Sequence, residues 1–186
     1  MNAEEMFRKS GAVLDGHFIL TSGRHSPVYW EKFKVMQYPQ YVQQLCGMIA
    51  DHYRRQPIDL VAGPTTAGII LAFEVARQLG VRAIYAEKAD NKTFAFKRGA
   101  AISPGDKVLV VDDIFTTGGS VKEVIASVKE RHGSVVGIGV LVDRSEEKYD
   151  FGVPLYACHR AEAVSYTADK CPLCAAKIPL VKPGGS

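Results

Sequence analysis

The chain has 186 residues, 47% of them apolar and 23% charged, with a net charge of +3 and only four cysteines, which is typical of one compact domain and excludes a disulfide scaffold. No apolar run is long enough to cross a bilayer and residues 1–10 lack the apolar segment of a signal peptide, so we expect a cytoplasmic protein without a membrane partner. Lysine and arginine are scattered, which argues against a nucleic-acid partner and favours an anionic small molecule.

The N-terminal part of the chain predicts mixed structure. The first 35 residues combine a short helix with GHFILTSGRHSPVYW (residues 16–30), a stretch of strand character interrupted by turn residues. Residues 38–55 follow as an amphipathic helix.

The middle of the chain alternates strand and helix patterns. Residues 58–62 (IDLVA) predict a buried strand, and the loop GPTTAG (residues 63–68) follows it. Residues 69–79 have helical composition and stop at a glycine, and residues 82–86 predict the next strand.

The same alternation then repeats. Residues 107–111 predict a strand, residues 120–132 a helix with valines on one face, and residues 135–142 another strand. Two consecutive strand–loop–helix–strand units predict an α/β fold with a parallel sheet, helices on its faces and right-handed connections. From about residue 166 the chain is loop-like, so we predict a single domain over residues 1–186 with additions at both ends.

The stretch VLVVDDIFTTGGS (residues 108–120) places two acids at the carboxyl end of a strand, where ligands of open parallel sheets bind. Backbone amides of residues 116–120, with Ser120 as the predicted N-cap, would hold a phosphate at a helix start. Asp112 and Asp113 would repel that phosphate, so we expect them to accept hydrogen bonds from sugar hydroxyls or to face hydrated Mg²⁺. A phosphorylated ribose, and best an activated ribose diphosphate, satisfies all of these groups.

Two common phosphate-binding motifs are absent from the chain. It contains no G-x-x-x-x-G-K-[ST] motif, and no G-x-G-x-x-G motif follows a strand. The alternative that stays open for residues 108–120 is a structural strand-to-helix turn whose acids face solvent.

The same stretch resembles, position by position, the phosphoribosyl-pyrophosphate (PRPP) motif of the type I phosphoribosyltransferases. Residues 16–30, and LVDR ending at Arg144, resemble the orotate phosphoribosyltransferases in particular, and the terminal CPLC and IPLVKPG resemble a compact prokaryotic branch. The resemblance implies the type I phosphoribosyltransferase fold: a parallel central sheet flanked by helices, with a small hood from the N-terminal segment. The hood would be mainly residues 1–36, the core about residues 37–165 and the tail residues 166–186.

The implied reaction is the Mg²⁺-dependent transfer of the 5-phosphoribosyl group from PRPP to orotate. Its products are orotidine 5′-monophosphate and pyrophosphate, a step in UMP synthesis. The family also implies a homodimer in which a mobile catalytic loop serves the neighbouring subunit. AEKADNKTFAFKRG (residues 86–99) occupies the place of that loop, with Lys92 at its tip.

Residue roles follow from the resemblance. Lys92, Asp112 and Asp113 would be catalytic, and Mg²⁺ would be held near the two acids mainly by substrate phosphates and water. The PRPP-binding residues would be Lys88, Lys92, Asp112, Asp113, Ile114, Phe115, Thr116, Thr117, Gly118, Gly119 and Ser120. The pyrophosphate loop would be Gly63, Pro64, Thr65, Thr66, Ala67 and Gly68. The orotate-binding residues would be Thr116, Arg144, Tyr29 and Trp30.

The chain departs from the family pattern at a few positions. Thr21 and Ala67 stand where several relatives carry lysine, which removes positive charge that would face PRPP or orotate. The catalytic loop is also shorter and lacks the usual histidine, and we expect Phe94 and Phe96 within it to pack a β-hairpin.

Cys171 and Cys174 have the spacing of a zinc half-site. A complete site needs two more ligands, for which Cys158 and His159 are the only nearby candidates in the sequence. Pairing across a dimer, a reversible disulfide and simple packing of the tail are the alternatives, and packing is the expectation. We expect the two histidines of residues 16–30 to be structural rather than acid–base groups.

Two other functions compete with orotate transfer. A purine-base phosphoribosyltransferase would share the PRPP motif. A non-catalytic regulator that senses PRPP and binds nucleic acid is the second, but nothing resembling a DNA-binding helix pair precedes the domain.

Overall fold

The structure is a computed structural model that describes residues 1–20, 22–89 and 93–183. Its helices and strands, in chain order, are α1 (Ala3–Lys9), β1 (Val13–Ile19), β2 (His25–Trp30), α2 (Lys32–Met36), α3 (Pro39–Tyr53), β3 (Leu60–Pro64), α4 (Ala67–Leu79), β4 (Arg82–Lys88), β5 (Phe94–Phe96), β6 (Lys107–Phe115), α5 (Gly119–Glu130), β7 (Ser134–Asp143), β8 (Leu155–Arg160), a 3₁₀ turn (Ala168–Lys170) and α6 (Pro172–Ala175). Among these described residues, no helix is both long and apolar enough to cross a bilayer.

The chain forms two compact units, Met1–Tyr38 with Glu162–Ser186, and Pro39–Ala161. The first unit therefore combines the N-terminal segment with the C-terminal tail. The predicted single-domain organisation, with its boundaries at residues 36 and 166, stays a prediction.

The smaller unit is built on the antiparallel hairpin of β1 and β2. Helix α1 begins at a capping box, in which the Asn2 side chain and Glu5 satisfy each other's backbone amides, and it buries Phe7 edge-on against Trp30. The tail folds back onto the hairpin through two bridges, Phe18 with Val181 and His25 with Tyr166.

The larger unit contains a six-stranded sheet in the order β5-β4-β3-β6-β7-β8. All neighbours are parallel except β5, which pairs antiparallel with β4. The predicted α/β fold with a mostly parallel sheet is confirmed. Strand β6 is buried along almost its whole length because its apolar residues face core side chains on both sides of the sheet, including the valines of α5.

Strand order reverses at β3, and this reversal positions the site. The connection through α4 leads from β3 to β4 on one side, whereas β6 pairs with the other side of β3. The register aligns Leu60 with Val108 and Ala62 with Val110, so the carboxyl ends of β3 and β6 lie side by side. In open α/β sheets this switch point is where ligands bind.

Three sequence predictions of local structure were wrong. Strand β6 continues to Phe115 instead of ending at residue 111, because β7 keeps pairing with it up to Asp143. The N-cap of α5 is Gly118 instead of Ser120, because Gly118 takes the left-handed conformation that ends the loop. Strand β8 was missed, although it begins with four apolar residues, and all of its residues are half-buried or exposed.

Candidate active site

The two predicted acids lie in the last part of β6 and are almost completely buried, with 8% of Asp112 and 4% of Asp113 exposed. One carboxylate oxygen of Asp112 accepts the Asp113 N–H at 2.8 Å, and one of Asp113 accepts the Ile114 N–H at 2.5 Å. These bonds fix the orientation of both carboxylates. Ionised carboxylates are pure acceptors, so hydroxyl groups and hydrated cations are their natural ligands.

The loop of residues 116–120 follows directly and forms the start of α5. Gly118 has φ +71°, and a Cβ there would lie 2.7 Å from the Phe115 ring, so the turn needs glycine. The Lys122 N–H donates to the Gly118 carbonyl at 2.9 Å, and this is the first hydrogen bond of the helix. The N–H groups of residues 119–121 precede it and therefore belong to the open start of the helix. Thr116 and Thr117 are exposed beside them. These amides and the helix dipole favour an anion.

The loop of residues 63–68 ends β3 and starts α4. A Cβ on Gly63 would overlap the Gly68 carbonyl, and one on Gly68 would lie 2.7 Å from the Pro64 ring, so both glycines are required by the close approach of the strand to the helix. The Thr65 N–H donates to the Ala86 carbonyl at 2.8 Å, the Thr65–Thr66 peptide is cis, and Thr66 is exposed as N-cap residue. Ala67 is buried inside α4.

Arg144 comes directly after β7 and next to the 116–120 loop. Its N–H donates to the Phe115 carbonyl at 2.8 Å. Its side-chain Nε is buried and has no hydrogen-bond partner among the described residues, and burial lowers the pKa of the guanidinium below its ordinary value. A buried, unpaired cationic donor is costly, and an anionic ligand would satisfy it.

The expected catalytic loop is carried by the hairpin of β4 and β5. The Ala89 N–H donates to the Thr93 carbonyl at 2.8 Å, and the exposed Lys88 ammonium lies 5.4 Å from the Phe94 ring centre. Both phenylalanines of β5 are buried in the core, which confirms their predicted packing role. Lys92, and Thr21 in the first unit, lie outside the described residues.

Tyr29 and Trp30 belong to β2 in the smaller unit. Trp30 is 8% exposed, and its ring packs edge-on against Phe7 at 5.2 Å. Tyr29 is half-buried, with its ring centre 5.8 Å from that of Phe18. Trp30 therefore contributes to packing within its own unit, and the orotate-binding role of both aromatics stays a prediction.

Cys158 and His159, the candidate further ligands named from the sequence, are not in the group of potential ligands that the described residues form around the tail cysteines. Cys158 donates its thiol to the Leu45 carbonyl in the larger unit, and burial raises its pKa to about 12. Cys171 and Cys174 instead lie beside His17 and His25, which we call the His/Cys cluster. The sequence signal was present but distributed: two histidines eight residues apart in one hairpin, and a C-x-x-C pair far along the chain.

Comparisons with known proteins agree with this geometry. The model of the phosphoribosyl transferase domain matches residues 35–158. An orotate phosphoribosyltransferase of Caldanaerobacter subterraneus is 49% identical over 97% of this chain and 94% of its own length, and one of Desulforamulus reducens is 48% identical over 99% and 97%. The crystal structure of orotate phosphoribosyltransferase from Aeropyrum pernix, 27% identical, superimposes with a TM-score of 0.72 over 86% of this chain and 93% of that one. The chain belongs to the orotate phosphoribosyltransferase family.

Proposed function

We propose that this protein transfers the 5-phosphoribosyl group from PRPP to orotate, giving orotidine 5′-monophosphate and pyrophosphate in pyrimidine biosynthesis. The observation that carries the proposal is the pair of glycine-containing loops, 63–68 and 116–120, at the adjacent ends of β3 and β6, with two buried acids in the last part of β6. The high identity to orotate phosphoribosyltransferases over nearly the whole chain supports the choice of base.

The acids and the 116–120 loop would bind opposite ends of the phosphoribosyl group. Asp112 and Asp113 would accept hydrogen bonds from the ribose 2′- and 3′-hydroxyls, which their fixed orientation favours. The amides at the start of α5 and the hydroxyls of Thr116, Thr117 and Ser120 would donate to the 5′-phosphate. The ribose C1 would thereby be held in position between its leaving group and the base.

The remaining groups would serve the two anions that exchange at C1. The 63–68 loop would donate backbone amides to pyrophosphate, and Lys88 and Lys92 would add positive charge. Arg144, whose Nε is buried, would pair its guanidinium with the orotate carboxylate, since a planar fork matches a carboxylate in two hydrogen bonds. Tyr29 and Trp30 are assigned to the pyrimidine ring on the family resemblance alone.

The protein would act mainly by position and electrostatics. Departure of pyrophosphate leaves an oxocarbenium-like C1 and concentrates negative charge on the leaving group. Preorganised amides and cations stabilise that charge, and no covalent step by a side chain is needed.

Mg²⁺ is the proposed cofactor, and the donor set fits it. Two adjacent, oriented carboxylates beside a phosphate-binding loop are hard oxygen ligands of the kind that hold Mg²⁺ through one or two contacts and water. When bound, the ion would neutralise charge on the pyrophosphate oxygens. Mg²⁺ titration of the purified enzyme should give saturable activation.

We also propose a homodimer, located in the cytoplasm, whose catalytic loop serves the neighbouring subunit. Two large apolar side chains of α4 support an interface with a second copy: Phe73 is 64% exposed and Ile70 43%. Phe73→Glu should shift the molecular mass measured by light scattering from dimer to monomer. A monomeric wild-type protein would exclude the dimer.

Loop sharing has a test of its own. Mixing Lys92→Ala with Asp113→Asn subunits should restore roughly a quarter of wild-type sites if the loop acts in the partner, because each mixed dimer then holds one intact site. A loop that acts within its own subunit restores none.

The activity itself is tested by following orotate absorbance after addition of PRPP and Mg²⁺, with pyrophosphate measured as co-product. Orotate should be consumed in a one-to-one ratio with pyrophosphate release. Hypoxanthine, guanine and adenine are the comparison bases, and a preference for any of them would replace the orotate proposal with a purine one.

A further inference from the structure

The His/Cys cluster has no role in the proposed reaction, yet its four side chains converge. His17, His25 and Cys171 are buried, with 2%, 5% and 4% exposed, and Cys174 lies at the surface. One ligand atom from each side chain falls within 4.8 Å of all the others. Two imidazoles and two thiols meeting at one point are the donor set of a structural zinc site.

Four of the six separations between these atoms are close to those of a tetrahedron around one ion, and all six are within 4.8 Å. Tetrahedral Zn²⁺ separates two nitrogen ligands by about 3.3 Å and a nitrogen from a sulfur by about 3.6 Å, given its ordinary bond lengths. The His17 Nε2 atom lies 3.0 Å from the His25 Nδ1 atom. It lies 3.5 Å from the Cys171 sulfur and 3.7 Å from that of Cys174, and His25 Nδ1 lies 3.3 Å from the Cys174 sulfur. A small shift of the two rings apart would complete the geometry.

A contact outside the cluster orients the first histidine. The His17 Nδ1 atom lies 2.8 Å from the Ile178 carbonyl oxygen, which can only accept, so Nδ1 carries the proton. The lone pair of Nε2 is then directed at the cluster. Metal-bound histidines in proteins are held in this way by a second hydrogen bond.

We propose that His17, His25, Cys171 and Cys174 bind one Zn²⁺ as a closed structural site that fastens the C-terminal tail to the β1–β2 hairpin. The ligands come from both strands of the hairpin and from the turn that starts α6. Two thiolates balance the charge of the ion, so the site is neutral. Magnesium and calcium fit less well, because S₂N₂ ligands in a tetrahedron favour zinc over either ion.

The surrounding backbone supports a fastening role. On one side of the cluster the His25 and Tyr166 amides exchange hydrogen bonds of 2.8 Å, and on the other the Val181 N–H donates to the His17 carbonyl at 2.8 Å. Between them the tail has only the 3₁₀ turn and the four-residue α6. An ion at the cluster would add a tie in the middle of this segment, next to the contact between His17 and the Ile178 carbonyl.

The test is the metal content of the full-length protein, purified without chelators or a metal-affinity step. We expect about one zinc per chain in the wild type. The zinc content should fall about tenfold or more in Cys174→Ser and in His25→Asn. Cys158→Ala and His132→Asn, which change one cysteine and one histidine of the larger unit, should keep the zinc. Cobalt substitution should give the absorption of a four-coordinate site with sulfur-to-cobalt charge transfer in the wild type and lose it in Cys174→Ser.

A measurement on the wild type alone guards against variants that fail to fold. Titration with a mercurial in the presence of a zinc-sensitive dye should release zinc in step with the reaction of two thiols. The proposal is overturned if the wild-type protein contains no zinc and cannot take it up. This holds whether its two tail cysteines are free thiols or form a disulfide, which mass spectrometry would detect as the loss of two hydrogens. Zinc that remains in both Cys174→Ser and His25→Asn overturns it as well.

Discussion

The end of β6 and the His/Cys cluster bring polar side chains together in opposite ways. At β6 the acids, threonines and glycines are neighbours in one strand–loop–helix segment of residues 108–120. In the His/Cys cluster, His17 and Cys171 are 154 residues apart and meet only because the tail folds back on the hairpin. A site contained in one segment can be inferred from sequence, whereas a site assembled from three segments becomes visible only in the folded chain.

The largest effect should come from the contiguous site. Asp113→Asn should lower kcat/KM for PRPP by about 10²–10³-fold, which corresponds to roughly 3–4 kcal/mol of transition-state stabilisation. The reason is that an amide does not attract ribose hydroxyls or Mg²⁺ as a carboxylate does. Steady-state kinetics measures this loss. The zinc content and the unfolding midpoint should not change, which would separate the two sites experimentally.

Glu130→Gln, an exposed acid at the end of α5, is the matched control and should behave as wild type. Wild-type kinetics for Asp113→Asn would remove the acid from the site.

The next largest effect should come from a substitution that disturbs the close packing of the 63–68 loop between β3 and α4. Gly63→Ala should lower the free energy of unfolding by about 1–3 kcal/mol and reduce activity, because the added methyl overlaps the Gly68 carbonyl and forces the strand away from α4. Denaturant unfolding gives the energy. Gly119→Ala is the stability control, since the nearest atom to its Cβ is 3.9 Å away; equal unfolding curves for both variants would contradict the close-packing argument.

Lys92→Ala examines the expected catalytic loop of residues 86–99. It should lower kcat by roughly 10–50-fold, about 2 kcal/mol, because positive charge on departing pyrophosphate is lost while orotate contacts are unchanged. Single-turnover rates and orotate binding separate the two effects. Lys129→Ala, at the end of α5, serves as the control. A change in orotate affinity alone would mean that the loop is misplaced.

The smallest effect should come from Arg144→Lys, which keeps the charge and removes the fork. The orotate KM should rise about tenfold, close to 1.4 kcal/mol. Burial lowers the pKa of this guanidinium, and its Nε has no hydrogen-bond partner among the described residues. Arg144→Met should therefore bind orotate worse yet unfold no more easily than the wild type. Arg160→Lys, an exposed cation at the end of β8, is the control. A large loss of stability in Arg144→Met would indicate a structural partner instead of a ligand.

Most of the larger unit could be predicted because its elements have local causes. Apolar runs in the sequence predicted β3, β6 and β7, and helical patterns predicted α4 and α5. The alternation of these strands and helices then predicted the parallel sheet. The errors occurred where the pairing between strands decides how far a strand extends. Asp112 and Asp113 belong to β6 because β7 continues alongside them, and β8 is an edge strand without a fully buried residue.

The sequence alone determined the fold class, the two loops and the acids of the strand end, because each depends on residues that are close along the chain. The tertiary structure decided which loops stand side by side, that Arg144 Nε is buried without a hydrogen-bond partner among the described residues, and which histidines meet the tail cysteines. Those facts depend on strand order and on the return of the tail to the hairpin. Contacts between distant segments are selected by the packing of the whole chain, and no local pattern records them.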